Sequence, residues 1–477
     1  MSKFLNLLSV ILFLTSCQIE DENSPTPEDA YIKYYGQLTS YEAKEIQVIE
    51  EGGVPASLVV LAAKTTESDD QDFFLLRTNL DGIFRDSVSF GFNTFLDLDN
   101  DGFPDIDVNQ DGDTTENDIV RGDDLPGSMA VLDDTLFVVG STSISISAGD
   151  LSINDFTRLA IAKVPLAADW NTLTKQNIQV FTRASIPGNT DLELVGNDIV
   201  ALNDGGLLLV GKKEKSAGGV VDSDSYIAKI PNSRFLRIFS FEKTFGVSGS
   251  GEDEEAVVVF EKPNGNFAVI GEGNTNSSLG ENGGLNGRNI YYQELDPNGA
   301  VQVNSRYYGV DDPDNEEVYD EFVRSAISIS GGVIVVGTSS TSQGQTFGFA
   351  ISLDNNGGHL ASETLPSVAF LSGESGLQTS FSGVARTNKN DFVIVGQYPG
   401  FAANNVMKSG EALFMRVDQS LAPVPGSESN FGLSGGNDAF VDAATLPDGG
   451  IVVVGNVDFG AGSKLISIAK LSADGRF

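Results

Sequence analysis

Among the 477 residues there is one cysteine, one histidine and one tryptophan. A single thiol, Cys17, excludes any intrachain disulfide. A single imidazole, His359 in the turn-like run Asn355–Leu360, excludes a histidine-rich metal centre and gives a Ser-His-Asp triad little to be built from. Basic residues are also scarce: 29 Lys and Arg stand against 67 Asp and Glu, a formal net charge of −38. Such a chain repels nucleic acid and anionic membrane, so neither is expected as a partner. Beyond Phe4–Leu14 there is no long apolar run, and that stretch is too short to span a bilayer. No long helical periodicity appears either.

What the chain has is glycine, 53 residues of it, 30 phenylalanines, and a repeated phrase. A polar or glycine turn, four or five apolar residues and a small residue recur as NDGGLLLVG (Asn203–Gly211), NGNFAVIG (Asn264–Gly271), SGGVIVVG (Ser330–Gly337), NDFVIVG (Asn390–Gly396) and PDGGIVVVG (Pro447–Gly455). DDTLFVVG (Asp133–Gly140) is a sixth copy and VPASLVVLA (Val54–Ala62) a worn seventh. Each is a tight turn feeding a buried strand. Recurrence at roughly sixty to eighty residues marks a repeat architecture rather than separate domains.

Three further strands accompany each phrase. One precedes it, as in DAFVDAATL (Asp438–Leu446); one follows, as in KLISIAKL (Lys464–Leu471); the last ends in a short aromatic motif, as in EKTFG (Glu242–Gly246) and SRYYG (Ser305–Gly309). Four strands in each of seven units predict an all-β, seven-bladed β-propeller over residues 31–477. The chain begins with a lone fourth-type strand, Tyr31–Gly36, and stops after a third-type one. The N-terminal strand is therefore expected to complete the last blade and remove its open edge. The arrangement resembles secreted bacterial β-propeller repeat proteins, most closely at Phe431–Phe440, Pro447–Gly455 and Ile468–Gly475, and the resemblance implies a scaffold more than an activity. It departs from them in lacking the tryptophan often found in the fourth strand, since Trp170 stands alone.

The N-terminus MSKFLNLLSVILFLTSC has one cation, an apolar run and small residues before Cys17. Residues 1–16 thus read as a signal peptide, and Leu14-Thr15-Ser16-Cys17 resembles a bacterial lipobox whose cysteine becomes acylated. Acylation at Cys17 would anchor the chain without a transmembrane helix. Residues 17–30 are an acidic, proline-bearing tether. Its Glu20-Asp21-Glu22 cluster resembles the export signal of surface lipoproteins in Bacteroidetes-type bacteria, which implies an outer-membrane protein exposed at the cell surface. A monomer is expected.

Residues 92–126 form an insertion between the first two units. Within it DLDNDGFPDIDVNQDGDTTEND (Asp97–Asp118) sets oxygen ligands at alternate positions with glycine at the sixth, the pattern a Ca²⁺ loop needs. Asp97, Asp99, Asp101 and Asp105 fit a first loop that lacks its twelfth-position acid. Asp107, Asn109, Asp111, Asp113 and Asp118 fit a second, more complete one. The overlap resembles the calcium repeats of thrombospondin type 3 and dockerin-like segments, and implies a structural ion that folds a loop with little core of its own.

Long connections between second and third strands, and between one unit and the next, all emerge on one face, several of them acidic. Variable loops on a rigid scaffold are a usual place for binding. The cations Arg77, Lys163, Lys229, Arg416 and Lys470 recur at one third-strand position, as a repeated structural feature would. Three readings stay open: a surface-anchored, Ca²⁺-stabilised propeller binding a protein or glycan through its acidic loop face; a carboxylate- and Ca²⁺-dependent hydrolase of glycans or phosphate esters; and a structural lipoprotein without a ligand. No carboxylate pair stands out among 67 acids, and convergent, perturbed carboxylates at the channel would separate enzyme from binder. Calorimetric titration of the chain with Ca²⁺ is expected to show uptake that Asp107→Ala and Asp111→Ala abolish; no uptake by the unaltered chain removes the calcium assignment.

Overall fold

The computed structural model describes residues 30–37, 39–66, 70–92, 122–148, 151–173, 178–183, 191–217, 220–246, 253–275, 287–309, 319–341, 346–365, 379–401, 407–432, 436–458 and 463–472. Among the described residues the regular structure is all strand apart from one 3-10 turn at Trp170–Thr172. A lone β1 (Tyr31–Tyr35) is followed by meanders of four. These are β2–β5 (Tyr41–Glu51, Val54–Thr65, Gln71–Asn79, Phe84–Phe90), β6–β9 (Asp124–Leu132, Thr135–Ala148, Leu151–Pro165, Gln179–Arg183) and β10–β13 (Asp191–Ala201, Leu207–Ala217, Val220–Ile230, Phe241–Phe245). Next come β14–β17 (Glu254–Glu261, Phe267–Thr275, Gly287–Leu295, Val301–Tyr308), β18–β21 (Tyr319–Ile329, Gly332–Thr341, Thr346–Asp354, His359–Leu365) and β22–β25 (Ser380–Arg386, Phe392–Phe401, Met407–Val417, Ser429–Phe431). The chain closes with β26–β28 (Ala439–Thr445, Ile451–Asp458, Lys464–Leu471).

The last three strands gain a fourth from the start of the chain: β1 pairs antiparallel with β28, from Tyr31 opposite Lys470 to Tyr35 opposite Ile466. This is the closure expected from Tyr31–Gly36. β6–β9 and β10–β13 are joined into one larger sheet by a single parallel bridge, Glu193 to Thr157. Apolar layers lie between successive sheets, and one of the same kind lies between the last and the first, where Leu446, Val452, Val454, Ile466 and Ile468 meet Tyr41, Ile46, Leu58 and Val60. Each fully buried Val, Leu, Ile or Phe is worth about 1.5–3 kcal/mol. These layers therefore outweigh the exposed ion pairs, typically ~0–1 kcal/mol each.

The small residue ending each repeated phrase has a steric cause. Gly140, Gly211, Gly271, Gly337, Gly396 and Gly455 sit opposite Pro126, Gly196, Ala256, Val323, Phe381 and Phe440, and at each of those positions the first strand of the unit bulges. The bulge turns a first-strand carbonyl onto the glycine, so a Cβ there would overlap Leu125 O, Val195 O, Glu255 O, Phe322 O, Ser380 O or Ala439 O. The worn copy places Ala62 opposite Ala43 at its own bulge.

Two expectations need correction. Pairing runs into the stretches read as long connections between second and third strands, out to Ala148 opposite Leu151, Ala217 opposite Val220, Thr275 opposite Gly287 and Phe401 opposite Met407. Their Ser, Lys and Glu content hid strands whose ladder bonds need no apolar face. The fourth strands β9 and β21 lack the aromatic-glycine ending and were not legible; His359, taken for a turn residue, opens β21 and is exposed. Deleting residues 31–35 leaves β28 as an open edge and is expected to lower the thermal midpoint by several degrees; an unchanged midpoint would show that the β1 pairing contributes nothing.

Candidate functional site

The sequence-derived sites, Cys17 and the ligand set Asp97, Asp99, Asp101, Asp105, Asp107, Asn109, Asp111, Asp113 and Asp118, lie outside the described residues. Among the described residues no group of three or more His, Cys, Asp and Glu is placed to hold a metal ion.

Three of the five recurrent cations prove to be half of a repeated ion pair, while Lys163 lies 5.8 Å from the Phe137 ring centroid. Lys229 and Lys470 bond Asp204 and Asp448 at 2.7 and 3.3 Å, and Arg416 bonds Asp391; each acid belongs to the turn that opens the second strand. Arg77 instead bonds Asp86 on β5 and lies 4.4 Å from the ring centroid of the buried Trp170, while its guanidinium also donates to Leu166 O and Ala168 O. The lone tryptophan thus helps lock β2–β5 to β6–β9. In β14–β17 the polarity is inverted: Glu294 holds the cation's register position and Lys262 reaches it at 2.6 Å.

The first strands β2, β6, β10, β14, β18, β22 and β26 converge on a cavity of about 320 Å³. Three carboxyl groups line it: Glu45 on β2, Asp198 on β10 and Asp442 on β26. All occupy the register position just after a first-strand bulge, opposite Leu61, Val210 and Val454. Ser128, Val258, Ser325 and Gly383 hold that position in the other units. Each carboxyl is half-buried, open to the cavity but enclosed by protein on its other sides.

Glu45 accepts hydrogen bonds from Gln47 Nε2 at 2.6 Å, Ser128 Oγ at 2.9 Å and the Met129 amide at 2.8 Å. Asp198 accepts from the Val259 amide and its neighbour Ile199, both at 2.8 Å, and Asp442 accepts from the Ile46 amide at 3.0 Å. Loss of solvent, followed by the negative charges of Asp442 and Asp198, pushes the Glu45 carboxyl up to about 8. Burial raises Asp442 to about 7, and it raises Asp198 as well. Lys44 also lines the cavity but is bonded to Glu42 at 2.7 Å, and Arg324 is exposed at the rim. The arrangement can hold a proton on a carboxyl near neutrality and pass it to a bound group.

Sequence reasoning missed this cluster. The available signal was an acid at a first-strand position that is small or apolar in the other units, visible once the repeats are aligned through their bulges.

No family model matches the chain, and no curated protein matches it in sequence. Solved structures that match the chain include the polysaccharide lyase Uly1, at 11% identity over 92% of this chain and 91% of that one, TM-score 0.46. An α-L-arabinofuranosidase from Fusarium graminearum shares 10% identity over 91% and 93%, TM-score 0.41. The intramolecular trans-sialidase from Ruminococcus gnavus shares 10% over 94% and 98%, TM-score 0.39. Likeness at this level says nothing of what this chain binds or converts.

A carboxyl raised on folding makes the native state bind more protons than the unfolded chain, so its contribution is fully present below the ordinary carboxylate range and is lost as pH rises through the native value. Glu45 and Asp442 are therefore expected to make the thermal midpoint fall as pH climbs from about 4.5 to about 8. Glu45→Gln should flatten that slope in melts at constant ionic strength; a slope identical to wild type would place its titration elsewhere.

Proposed function

We propose that residues 31–477 form a seven-bladed β-propeller, closed by β1 on the last blade, whose central cavity is the active site of a glycan-active hydrolase. Support for the architecture is the grouping of strands in fours and the apolar layer joining the last sheet to the first. The observation that carries the functional reading is the convergence of Glu45, Asp198 and Asp442 on one cavity, where enclosure raises all three carboxyls and the charge of Asp442 raises Glu45 further. Two carboxyls whose surroundings separate their titrations supply an acid and a base at the same pH. Glu45, the higher, is the proton donor to the glycosidic oxygen, and Asp442, the lower, is the ionised partner.

The cavity volume of about 320 Å³ lies at the low end of ligand pockets, roughly 300–1,000 Å³, and suits one terminal sugar ring. A wall of three acids disfavours phosphate esters, whose charge it repels. The reading includes a lipid anchor at Cys17, a surface-exposed outer-membrane location and a structural Ca²⁺ held by the insertion at 92–126, as the sequence suggests.

A second reading is supported by the hydrogen bonds themselves. Glu45 Oε2, Asp198 Oδ2 and Asp442 Oδ2 each accept a backbone N–H from the first strand of the following unit, so the three acids also serve as ties between units. In that reading the protein is a binder, acting on a protein or glycan through its loop face. Wild type, Glu45→Gln and Asp442→Asn assayed on a panel of aryl glycosides and oligosaccharides, with melts run alongside, separate the two. An enzyme is expected to turn over at least one substrate with a pH optimum between about 7 and 8 and to lose about 10²–10⁴-fold in kcat in Glu45→Gln while staying folded. Turnover unaffected by folded Glu45→Gln, or none by wild type across the panel, leaves the binder.

A further inference from the structure

A second cavity, about 380 Å³, opens in the seam between β10–β13 and β14–β17, away from the central one. Its walls include Tyr291 and Gln293 on β16, Tyr307 on β17, Phe245 on β13, Ser225 on β12 and the buried Glu254 on β14. Gln293 breaks the repeat. The position pairs with the third residue of each second-strand apolar run, and in the other six units it is Leu76, Ala162, Ala228, Ile351, Met415 or Ala469. Those are core residues of the layers between sheets. In β16 the alternate residues Tyr291 and Leu295 belong to the apolar layer shared with β10–β13, so the amide of Gln293 is set on the same face.

Gln293 is only 5% exposed, and its Oε1 has no hydrogen-bond partner in the protein. An unmet buried acceptor costs about 1–3 kcal/mol, which an apolar residue here would avoid, as it does in every other unit. Tyr291 and Tyr307 stand beside it, ring centroids 6.0 Å apart, and the Tyr291 hydroxyl shares a hydrogen bond with Ser225 Oγ. The space is far larger than the ~10–15 Å³ that one water requires.

We propose that this seam cavity is a binding site for a small uncharged polyhydroxylated ring, a single sugar unit. The ring's hydroxyls satisfy the Gln293 amide, its apolar face packs against the tyrosine and phenylalanine walls, and Ser305 and the exposed Asn304 lie at the mouth. The site stands independently of any chemistry at Glu45.

Saturation-transfer NMR on the full chain with D-galactose, D-mannose, D-xylose and L-arabinose tests it. At least one sugar is expected to give a saturable signal in wild type, with affinity reduced at least tenfold in Gln293→Leu. Ser305→Trp, which obstructs the mouth without touching the core, is expected to give the same loss. Gln293→Leu should also hold or raise the thermal midpoint, because it removes an unmet polar group. Absence of a saturable signal from all four sugars, retention of the signal in both variants, or a lowered midpoint in Gln293→Leu would overturn the assignment. A signal lost in Glu45→Gln but kept in Gln293→Leu would place the sugar in the central cavity instead.

Discussion

The first strands β2, β6, β14, β18, β22 and β26 lie at the edges of their sheets, so N–H groups on their outer side have no ladder partner. The freed donors meet acceptors from the preceding unit. Ala43 N donates to Asn456 Oδ1, Ile46 N to Asp442, Met129 N to Glu45, Val259 N to Asp198 and Val323 N to Glu272. Bonds in the opposite sense complete the seam. Asp123, Asp253 and Asn437, each just ahead of a first strand, and Asp320, at the start of β18, accept from Gln71, Ser223, Gly410 and Arg288 at or near the third strand of the unit before. Apolar layers supply most of the attraction between sheets, but they are non-directional; these bonds fix how each sheet is seated on the next.

That requirement also gives the acidity a physical role. A carboxylate only accepts, at two oxygens, and so suits the N–H donors left over in the seam, while the amides of Gln47 and Asn197 donate to the leftover carbonyls of Met129 and Ala256. Part of the excess of 67 acids over 29 bases is thus structural demand rather than a surface advertising for cations. The turn acids Asp204, Asp391 and Asp448, each holding a third-strand cation, belong to the same economy of fixed partners.

Where the seam bonds crowd together, chemistry becomes available. Three of the tying acids, Glu45, Asp198 and Asp442, face one cavity because the first strands converge there, and enclosure by protein holds their protons at pH values where exposed acids are ionised. One set of side chains then seats the sheets and, by its enclosure, has its carboxyls raised above the ordinary range. The seam at Gln293 is different in kind: its amide sits where every other unit is apolar, and it ties nothing together.

The repeated phrase, the four-strand unit and the pairing of Tyr31–Tyr35 with the end of the chain were legible in the amino-acid order, because burial of a strand writes an apolar run and a turn writes Gly, Asn or Asp. The glycine after each run was legible as a pattern, though its cause, a carbonyl turned onto it by a bulge opposite, was not. The acids of the central cavity were hidden for a related reason. Glu45, Asp198 and Asp442 lie far apart along the chain, and each reaches the cavity only because a bulge shifts its strand by one residue and the sheets then pack in turn. Local order determines which residues form strands; which face a carboxyl presents, and what it meets there, is decided by register and by neighbours hundreds of residues away.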